Sequence, residues 1–593
     1  MEEDERPAHG RDRAGRMNAG RSSAGALSLL APTGAGTEAL VFSRSESQLA
    51  ATLSFFGSEV QAFSVRGTSE AAEAEGQLGQ LGALGQGALA DLRGDARLPV
   101  DSASIDHVFL EAGLHSLVWG SDAADNDPQL PAYFLEECRR VLKPGGTLLL
   151  VEPNLFAPTA VLRTGVSGPL HAVAALWRSL ARIGRSDEFR TEEPHPGALA
   201  CRRLLRRSGF DDIRLHVPWP THEGIRELVC HAEENRSARF RMSGRSWLHR
   251  AAGGTYRILQ RGGMHLPFVP ELYVMGRKAG GVGSDHGVPH RQPSVLERIL
   301  SCEVPDAQPA DVVVNVREGS GTMCFRTTAR FIKIPVTEDA LRRQRQEQQV
   351  LRRLASHRLA SHTLQSTCFS DSNGIRYSAA PYLEGRPSDE PGRLRALETG
   401  LRIMAESRRE ELRLSETATW ERISCPRESS PWSRIGDELS VAKILRPLAD
   451  RKVPAGISHG DFHEGNLLIR DGRLVIIDWD RMEEPAPLFL DGLSAVCHRL
   501  VREESGPPDW RAAYLAALDR LMTPNPSNTL TQTVQALAGE LDWQEAVTFY
   551  VVSSTQHWAE STLSTAPWDE AAVRTTCRER FELCAASLEV PDR

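Results

Sequence analysis

Ser458-His459-Gly460-Asp461-Phe462-His463-Glu464-Gly465-Asn466-Leu467-Leu468-Ile469-Arg470-Asp471-Gly472-Arg473-Leu474-Val475-Ile476-Ile477-Asp478-Trp479-Asp480 is the stretch from which the rest of the chain is read. Leu467 to Arg470 and Arg473 to Ile477 are apolar, β-prone runs. Asp471-Gly472 lies between them, and Asp-Gly is a favoured pair for a two-residue hairpin turn. Pairing Arg470 with Arg473 across that turn sets Asn466 opposite Ile477, with Asp478 one residue further on. The hairpin then brings an amide oxygen and a carboxylate together at its open end, with Asp461 just upstream. Two hard oxygen ligands suit Mg²⁺ bound with a nucleotide phosphate, and a free carboxylate suits a base that accepts a hydroxyl proton. The plain alternative is an ordinary hairpin with a polar mouth. Several spaced positions agreeing at once weigh against it. His459 reads as a loop support, whereas His463 reads equally well as a surface residue.

His459-Gly460-Asp461, four residues, Asn466, a hairpin and then Ile477-Asp478-Trp479-Asp480 together resemble the aminoglycoside phosphotransferase and choline kinase-like family. These are small-molecule kinases with a bilobal, protein-kinase-like α+β fold. The resemblance implies that Asp461 is the catalytic base and that Asn466 and Asp478 hold Mg²⁺. Protein kinases carry an arginine before the catalytic aspartate and Phe-Gly after the metal aspartate. Here Gly460 and Trp479-Asp480 stand there, which favours a small-molecule or glycan hydroxyl acceptor over a protein.

Composition narrows the field. The 593 residues suggest two to four domains. Hydrophobic content of 40% and charged content of 25% are those of a soluble globular protein. A net charge of −8 gives no overall pull towards nucleic acid or an anionic membrane. No apolar run approaches the ~18–20 residues that span a bilayer. The N-terminus is acidic and then Arg/Gly/Ala-rich with no apolar core after it, unlike a secretory signal. Ten cysteines occur without a Cys-x-x-Cys pair, which fits reduced core thiols in a bacterial-type cytoplasm.

Residues 1–26 read as a disordered tail. From 27 to 279, apolar strands alternate with amphipathic helices, the pattern of an α/β parallel sheet. The strands are Ala39–Phe42, Val60–Val65, Ile105–Leu110 and Thr147–Glu152. The helices include Gln48–Phe56 and Tyr133–Leu142, the latter stopped by Lys143-Pro144-Gly145-Gly146. Gly94-Asp95-Ala96-Arg97-Leu98-Pro99 with Ser104 to Val108, Phe134 to Asn154, Leu204 to Phe210 and Leu272 to Lys278 resemble class I S-adenosylmethionine (SAM)-dependent methyltransferases, a Rossmann-like fold. That resemblance places Asp95 where the family can contact adenine, and a turn-capping role stands beside it. The family's cofactor loop is glycine-rich because backbone approaches the cofactor closely. Here the turn after the first strand is Ser43-Arg44-Ser45-Glu46-Ser47, and Val65 is followed by Arg66-Gly67-Thr68 rather than an acid. A domain impaired in SAM binding is expected, with a working methyltransferase left open.

Gly280 to Pro293 is a linker by composition, giving expected domains at 27–279 and 295–593 with 280–294 between them. Val312–Val316 and Met323–Thr327 read as strands joined by a turn containing Gly319 and Gly321. Such a turn is either a plain hairpin or one whose N–H groups lie over nucleotide phosphates. Lys333, in the strand Ala329–Pro335, is the candidate for the α/β-phosphates of ATP. Glu347, in the helix Thr337–Leu354 beside the face of Val350, Leu351 and Leu354, is its candidate partner. Arg376–Ala380 reads as a strand, and Pro381-Tyr382-Leu383-Glu384-Gly385 resembles the adenine-contacting hinge. Leu394–Leu414 and Gly436–Asp450 read as helices, as do Trp510–Leu521, Trp543–Trp558 and Ala571–Leu588. Ala486 to Asp491 resembles the family segment whose aspartate fixes the catalytic loop. Three functions fit: an ATP- and Mg-dependent phosphotransferase with an impaired methyltransferase-like domain, a bifunctional SAM-dependent methyltransferase/kinase of a bacterial surface glycan, and a non-catalytic assembly protein. Neither the acceptor nor the oligomeric state is written in a motif.

Overall fold

A computed structural model describes residues 26–43, 48–64, 97–98, 100–111, 114, 130–153, 198–219, 227–229, 271–279, 292–305, 313–316, 321–327, 329–383, 385, 389–426, 430–504, 510–523, 529–565 and 570–587. The expected tail (1–25 of it), most of the expected linker (280–291), Asp95 and Gly319 lie outside these residues. The chain forms two compact units, Met1–Ala340 with Cys368–Ala379, and Leu341–Thr367 with Ala380–Arg593.

The first unit is built on one sheet. Its N-terminal strands are β1 (Glu38–Ser43), β2 (Glu59–Ser64), β3 (Ile105–Leu110), β4 (Leu142–Pro153), β5 (Phe210–Trp219), β6 (Glu227–Val229) and β7 (Glu271–Lys278). In the sheet they run β2-β1-β3-β4-β7-β5-β6. The pairs β1–β2, β1–β3 and β3–β4 are parallel, and β7 is antiparallel to both β4 and β5. This is the methyltransferase-like arrangement expected from sequence. Parallel strands bury both faces, so they read as continuous apolar runs. Leu40, Phe42, Val108, Leu110, Leu148 and Leu150 share one core. Their neighbours Ala39, Val41, Phe109, Leu149 and Val151 face a second core. The two-residue side-chain period divides them.

The same sheet continues through β8 (Val313–Val316), β9 (Thr322–Arg326), β10 (Arg330–Pro335), β11 (Thr367–Ser370) and β12 (Arg376–Pro381). The join is antiparallel pairing of β6 with β8, Leu228 opposite Val314. Val314, Met323, Phe325, Ile332, Ile334 and Tyr377 complete the second core, together with Leu27 and Leu29 from helical residues 26–30. The strands on either side of the expected linker therefore share one sheet and one core. A buried ion pair tightens this face. Arg298, in α1 (Val295–Glu303), donates its Nε–H to Asp371 (2.7 Å) and an Nη2–H to the Thr33 carbonyl (2.8 Å). Ser294 caps that helix in a reciprocal capping box with Glu297.

The second unit is mainly helical. It contains nearly all of α2 (Glu338–Leu354), with α3 (Glu390–Ala405), α4 (Phe489–Glu504), α5 (Trp510–Met522), α6 (Thr529–Leu537), α7 (Trp543–Thr565) and α8 (Glu570–Ser587). They surround a core that includes Leu401, Trp432, Phe462, Trp479, Phe489, Leu493, Phe549 and Phe581. Strands β13 (Glu410–Arg413), β14 (Lys452–Ser458) and β17 (Glu483–Pro487) form a small sheet, and β15 (Leu467–Arg470) pairs with β16 (Arg473–Ile476). The helix expected over Leu394–Leu414 stops at Ala405. Residues 410–413 pair instead with β14, Glu410 opposite Ala455. The reason is tertiary: Ser407 is buried, accepts the Ile457 N–H (3.0 Å) and donates to the Ile457 carbonyl (3.3 Å), turning the chain onto the sheet. Gly436–Asp450 is likewise divided into short helical pieces rather than one helix.

Candidate functional site

The hairpin forms in the expected register. Leu467, Leu468, Ile469 and Arg470 face Ile476, Val475, Leu474 and Arg473. Asp471 and Gly472 have φ of +50° and +74°, the type I′ requirement. At the open end Ile477 donates its N–H to the Asn466 carbonyl (3.0 Å), which puts Asn466 and Asp478 side by side in register. Asp478 sits at φ +70°, a sparsely populated backbone state for a residue other than glycine. Such strain persists where the surroundings over-determine it. Here Trp479 supplies the restraint: its ring is fully buried and its indole N–H donates to the Ile476 carbonyl (3.0 Å).

The segment before the hairpin is held by one buried carboxylate. Asp491, at the start of α4, accepts from Ser458 Oγ (3.0 Å), the His459 N–H (2.8 Å) and the Gly460 N–H (3.1 Å). Burial pushes its carboxyl up, while neighbouring His459 and these donors favour the anion. His459 Nε2 reaches the Ile477 carbonyl (2.8 Å), tying the loop to the strand that precedes Asp478. The Asp461 N–H donates to His459 Nδ1 (3.3 Å), and Asn466 Nδ2 donates to the Asp461 carbonyl (2.9 Å). With its amide nitrogen so engaged, Asn466 has Oδ1 as the atom to offer a cation. Gly460 has φ +79°, and a Cβ there would lie 2.2 Å from the Arg481 carbonyl oxygen. Two chain segments cross at this point, and only glycine fits.

Asp461 is half-buried. Burial alone would raise its carboxyl, but Arg481, His463, His498 and His459 hold it below the usual carboxylate range, so it is an anion at neutral pH. His463 and His498 each place Nε2 3.9 Å from Asp461 Oδ1, and their rings stack at 4.5 Å. His463 also caps the turn at residues 464–466 through Nδ1, which accepts the Gly465 N–H (3.0 Å). The sequence left His463 undecided and missed His498. The latter lies on α4, 35 positions after His463, and no local pattern marks it.

The other expected residues are placed as follows. Lys333 is half-buried in β10 of the first unit, opposite Cys324 of β9. Glu347 is buried in α2 of the second unit, where Val350, Leu351 and Leu354 are also buried. Thr337 caps α2 as expected, accepting the Ala340 N–H (3.2 Å). Gly321 has φ +60°, and its Cβ position is filled by Thr337 Oγ1 at 2.4 Å. Its carbonyl accepts the Val336 N–H (2.8 Å). Tyr382 follows β12 and is half-buried.

For the methyltransferase-like region, Ser43 at the end of β1 is buried, and the Phe42 carbonyl accepts the Glu111 N–H (2.9 Å). The turn at 44–47 lies outside the described residues. No described helix is long and apolar enough to cross a membrane.

Two family matches lie along the chain. Residues 313–526 match the phosphotransferase enzyme family, and residues 63–150 match a methyltransferase domain family. The chain thus carries a methyltransferase-like region followed by a phosphotransferase-like, kinase-like region. Solved structures similar to the second half include aminoglycoside phosphotransferase APH(4)-Ia in ternary complex with ADP and hygromycin B. It is 15% identical, covers 49% of this chain and 99% of its own, and gives a TM-score of 0.32. A GDP and kanamycin complex of a 2″-aminoglycoside phosphotransferase is 14% identical, with 49% and 96% covered and a TM-score of 0.30. Similar to the first half is a SAM-dependent methyltransferase of Thermotoga maritima, a possible histamine N-methyltransferase, at 15% identity, 45% and 93% coverage and a TM-score of 0.25. No curated protein matches the chain.

Proposed function

We propose that this protein is an ATP- and Mg²⁺-dependent phosphotransferase that moves the γ-phosphoryl group to a hydroxyl of a small molecule or glycan. The observation that carries the reading is the hairpin mouth. Asn466 and Asp478 lie in adjacent register there, beside an Asp461 kept anionic by its neighbours. Asn466 Oδ1 and the Asp478 carboxylate are hard oxygen donors of the kind Mg²⁺ takes, so the residues fit the ion. When bound with the nucleotide, the metal supplies neutralisation of the phosphate charge.

The chain's own residues do the rest. Asp461 accepts the hydrogen bond of the acceptor hydroxyl and takes its proton as the new oxygen–phosphorus bond forms and the bond from the γ-phosphorus to the β-phosphate oxygen breaks, releasing ADP. Asp491 keeps Asp461 in place by fixing three consecutive groups just before it. Lys333 is assigned to the α/β-phosphates, with Glu347 as its candidate partner. Gly321, with Gly319 outside the described residues, is assigned to the phosphates, and Tyr382 to adenine. Catalysis of this kind is positioning and charge stabilisation rather than covalent chemistry.

The methyltransferase-like region is impaired in SAM binding on this reading. Its turn after β1 has no glycine, and buried Ser43 leads straight into Arg44. The residues do not fit the close backbone approach that the cofactor needs, and Asp95 alone does not restore it. The bifunctional enzyme of a surface glycan is the competing reading, favoured by the family match over residues 63–150.

Asp461→Asn tests the base directly. Turnover of ATP in the presence of Mg²⁺ falls by about 10²–10⁴-fold, while affinity for Mg–AMP-PNP measured by calorimetry stays within a few-fold of wild type. Unchanged turnover removes Asp461 from the chemistry.

A further inference from the structure

Two histidines converge on Asp461. His463 follows it by two positions, and His498 comes from α4. Each places Nε2 3.9 Å from the same oxygen, Asp461 Oδ1, and the three donor atoms lie within 4.8 Å of one another. Among the described residues this is the one group of three or more His, Cys, Asp or Glu side chains whose donor atoms converge so closely. The side chains of His463, Asp461 and His498 are 24%, 29% and 48% exposed, so an ion reaches them from solvent while much of their surface is covered.

Two imidazole nitrogens and one carboxylate oxygen are donors that Zn²⁺ and its neighbours in the first transition row take, whereas Mg²⁺ prefers oxygen throughout. A tetrahedral ion about 2.1 Å from each donor sets its ligands about 3.4 Å apart, so each imidazole has about 0.5 Å to close. The frame around the donors is already set. Asp491 and His459 hold the backbone up to Asp461, and α4 supplies both Asp491 and His498. Burial keeps both imidazoles below their ordinary range, so each is neutral at pH 7 and has a lone pair to give. Among the described residues no hydrogen bond fixes the tautomer of His498. His463 is fixed: its Nδ1 accepts the Gly465 N–H (3.0 Å), which leaves the ring proton on Nε2. Ligation through Nε2 moves that proton to Nδ1 and releases Gly465, loosening the turn that ends on Asn466.

We propose that Asp461, His463 and His498 form a binding site for one divalent transition-metal ion of the Zn²⁺ kind, separate from the Mg²⁺ ligands Asn466 and Asp478, and that this ion inhibits transfer by occupying the base. A carboxylate bound to such an ion is a far weaker proton acceptor, because the cation's charge stabilises its deprotonated form. The loosened turn also disturbs Asn466, so the two ions oppose one another. The inhibition rests on the phosphotransferase reading, whereas the binding of the ion does not.

Zn²⁺ is the probe, titrated into the full chain against a chromophoric chelator, without nucleotide and with Mg²⁺ in excess. One Zn²⁺ binds wild type. His498→Ala and His498→Gln each weaken this binding at least about tenfold, and Asp478→Ala retains it. Far-UV circular dichroism and the ligand-free unfolding midpoint establish that the variants fold. No bound Zn²⁺, or equal affinity in wild type and the His498 variants, overturns the site. Loss of Zn²⁺ in Asp478→Ala overturns its separation from the Mg²⁺ ligands. ATP turnover with Mg²⁺ is then measured at buffered free Zn²⁺. Turnover falls in wild type as the site fills, and the His498 variants resist. Turnover indifferent to bound Zn²⁺ overturns the inhibition. Absence of any turnover in wild type sinks the phosphotransferase reading instead, and the Zn²⁺ titration still decides the site.

Discussion

Replacing Gly460 or Gly472 by alanine separates two reasons for a glycine. Gly472 has φ +74° and open space around its Cβ position, so Gly472→Ala costs backbone strain alone, about 1–2 kcal/mol. Gly460 has a similar φ, and a Cβ would meet the Arg481 carbonyl at 2.2 Å. Backbone strain and overpacking add there, giving about 2–5 kcal/mol and displacing Asp461 as well. Denaturant unfolding of the two variants, with ATP turnover measured on each, checks the order. Equal destabilisation would mean that the crossing of the two segments is looser than described. At this scale the sequence was readable where a residue type is dictated locally. Asp471-Gly472 announced the turn, and the spacing of Asp461, Asn466 and Asp478 announced the mouth. Asp491 was readable through the segment that ends on it, and its three bonds to the loop agree with that reading. His498 and Arg481 were not readable. An isolated histidine on a helix and an arginine after a turn acquire meaning only from what folds against them.

Short elements carry the site, and each depends on a partner far along the chain. Strand β17 illustrates this. Glu483 is bonded by Thr419 (2.6 Å) and by Arg422, whose guanidinium also donates to Ser553 (2.8 Å) and Gln556 (2.5 Å) on α7. Burial would raise the Glu483 carboxyl, but Arg422, His557 and Thr419 hold it far below the carboxylate range. Arg422→Ala leaves a mostly buried carboxylate without its cation and costs about 3 kcal/mol, read as a lower unfolding midpoint at pH 7. Little change would mean that His557 and water compensate. Strand β13 marks the limit of local reading. Its Glu410-Glu411-Leu412-Arg413 has the composition of a solvated helix, and the sequence accordingly continued the preceding helix to Leu414. The neighbouring strand β14 and the buried Ser407 decide otherwise, because strand formation answers to its pairing partner more than to its own residues.

Among the described residues, several histidines are held neutral and oppose acid. His107, fully buried in β3 against Phe109, is held at about 4 from an ordinary 6.5, mainly by burial. Burial likewise lowers His357 and His557. The sign follows from linkage. Their folded values lie below the unfolded one, so between pH 6.5 and 4 the unfolded chain binds more protons, and stability falls as pH is lowered. His107 alone contributes up to about 3 kcal/mol to that loss. The unfolding midpoint drops across this window, and less steeply in His107→Phe; identical pH curves would contradict the assignment. The sheet that runs from β2 to β11 is the feature furthest from the sequence. Strands β6 and β8 pair across sequence that no periodicity connects. Whether this molecule handles nucleotide is tested most directly by its unfolding midpoint with Mg–AMP-PNP, alongside SAM as the second ligand. A ligand that binds only the folded state raises that midpoint by mass action. The account predicts a rise with Mg–AMP-PNP that disappears in Asp478→Ala, and no rise with SAM. No rise with Mg–AMP-PNP in the wild-type chain would contradict it.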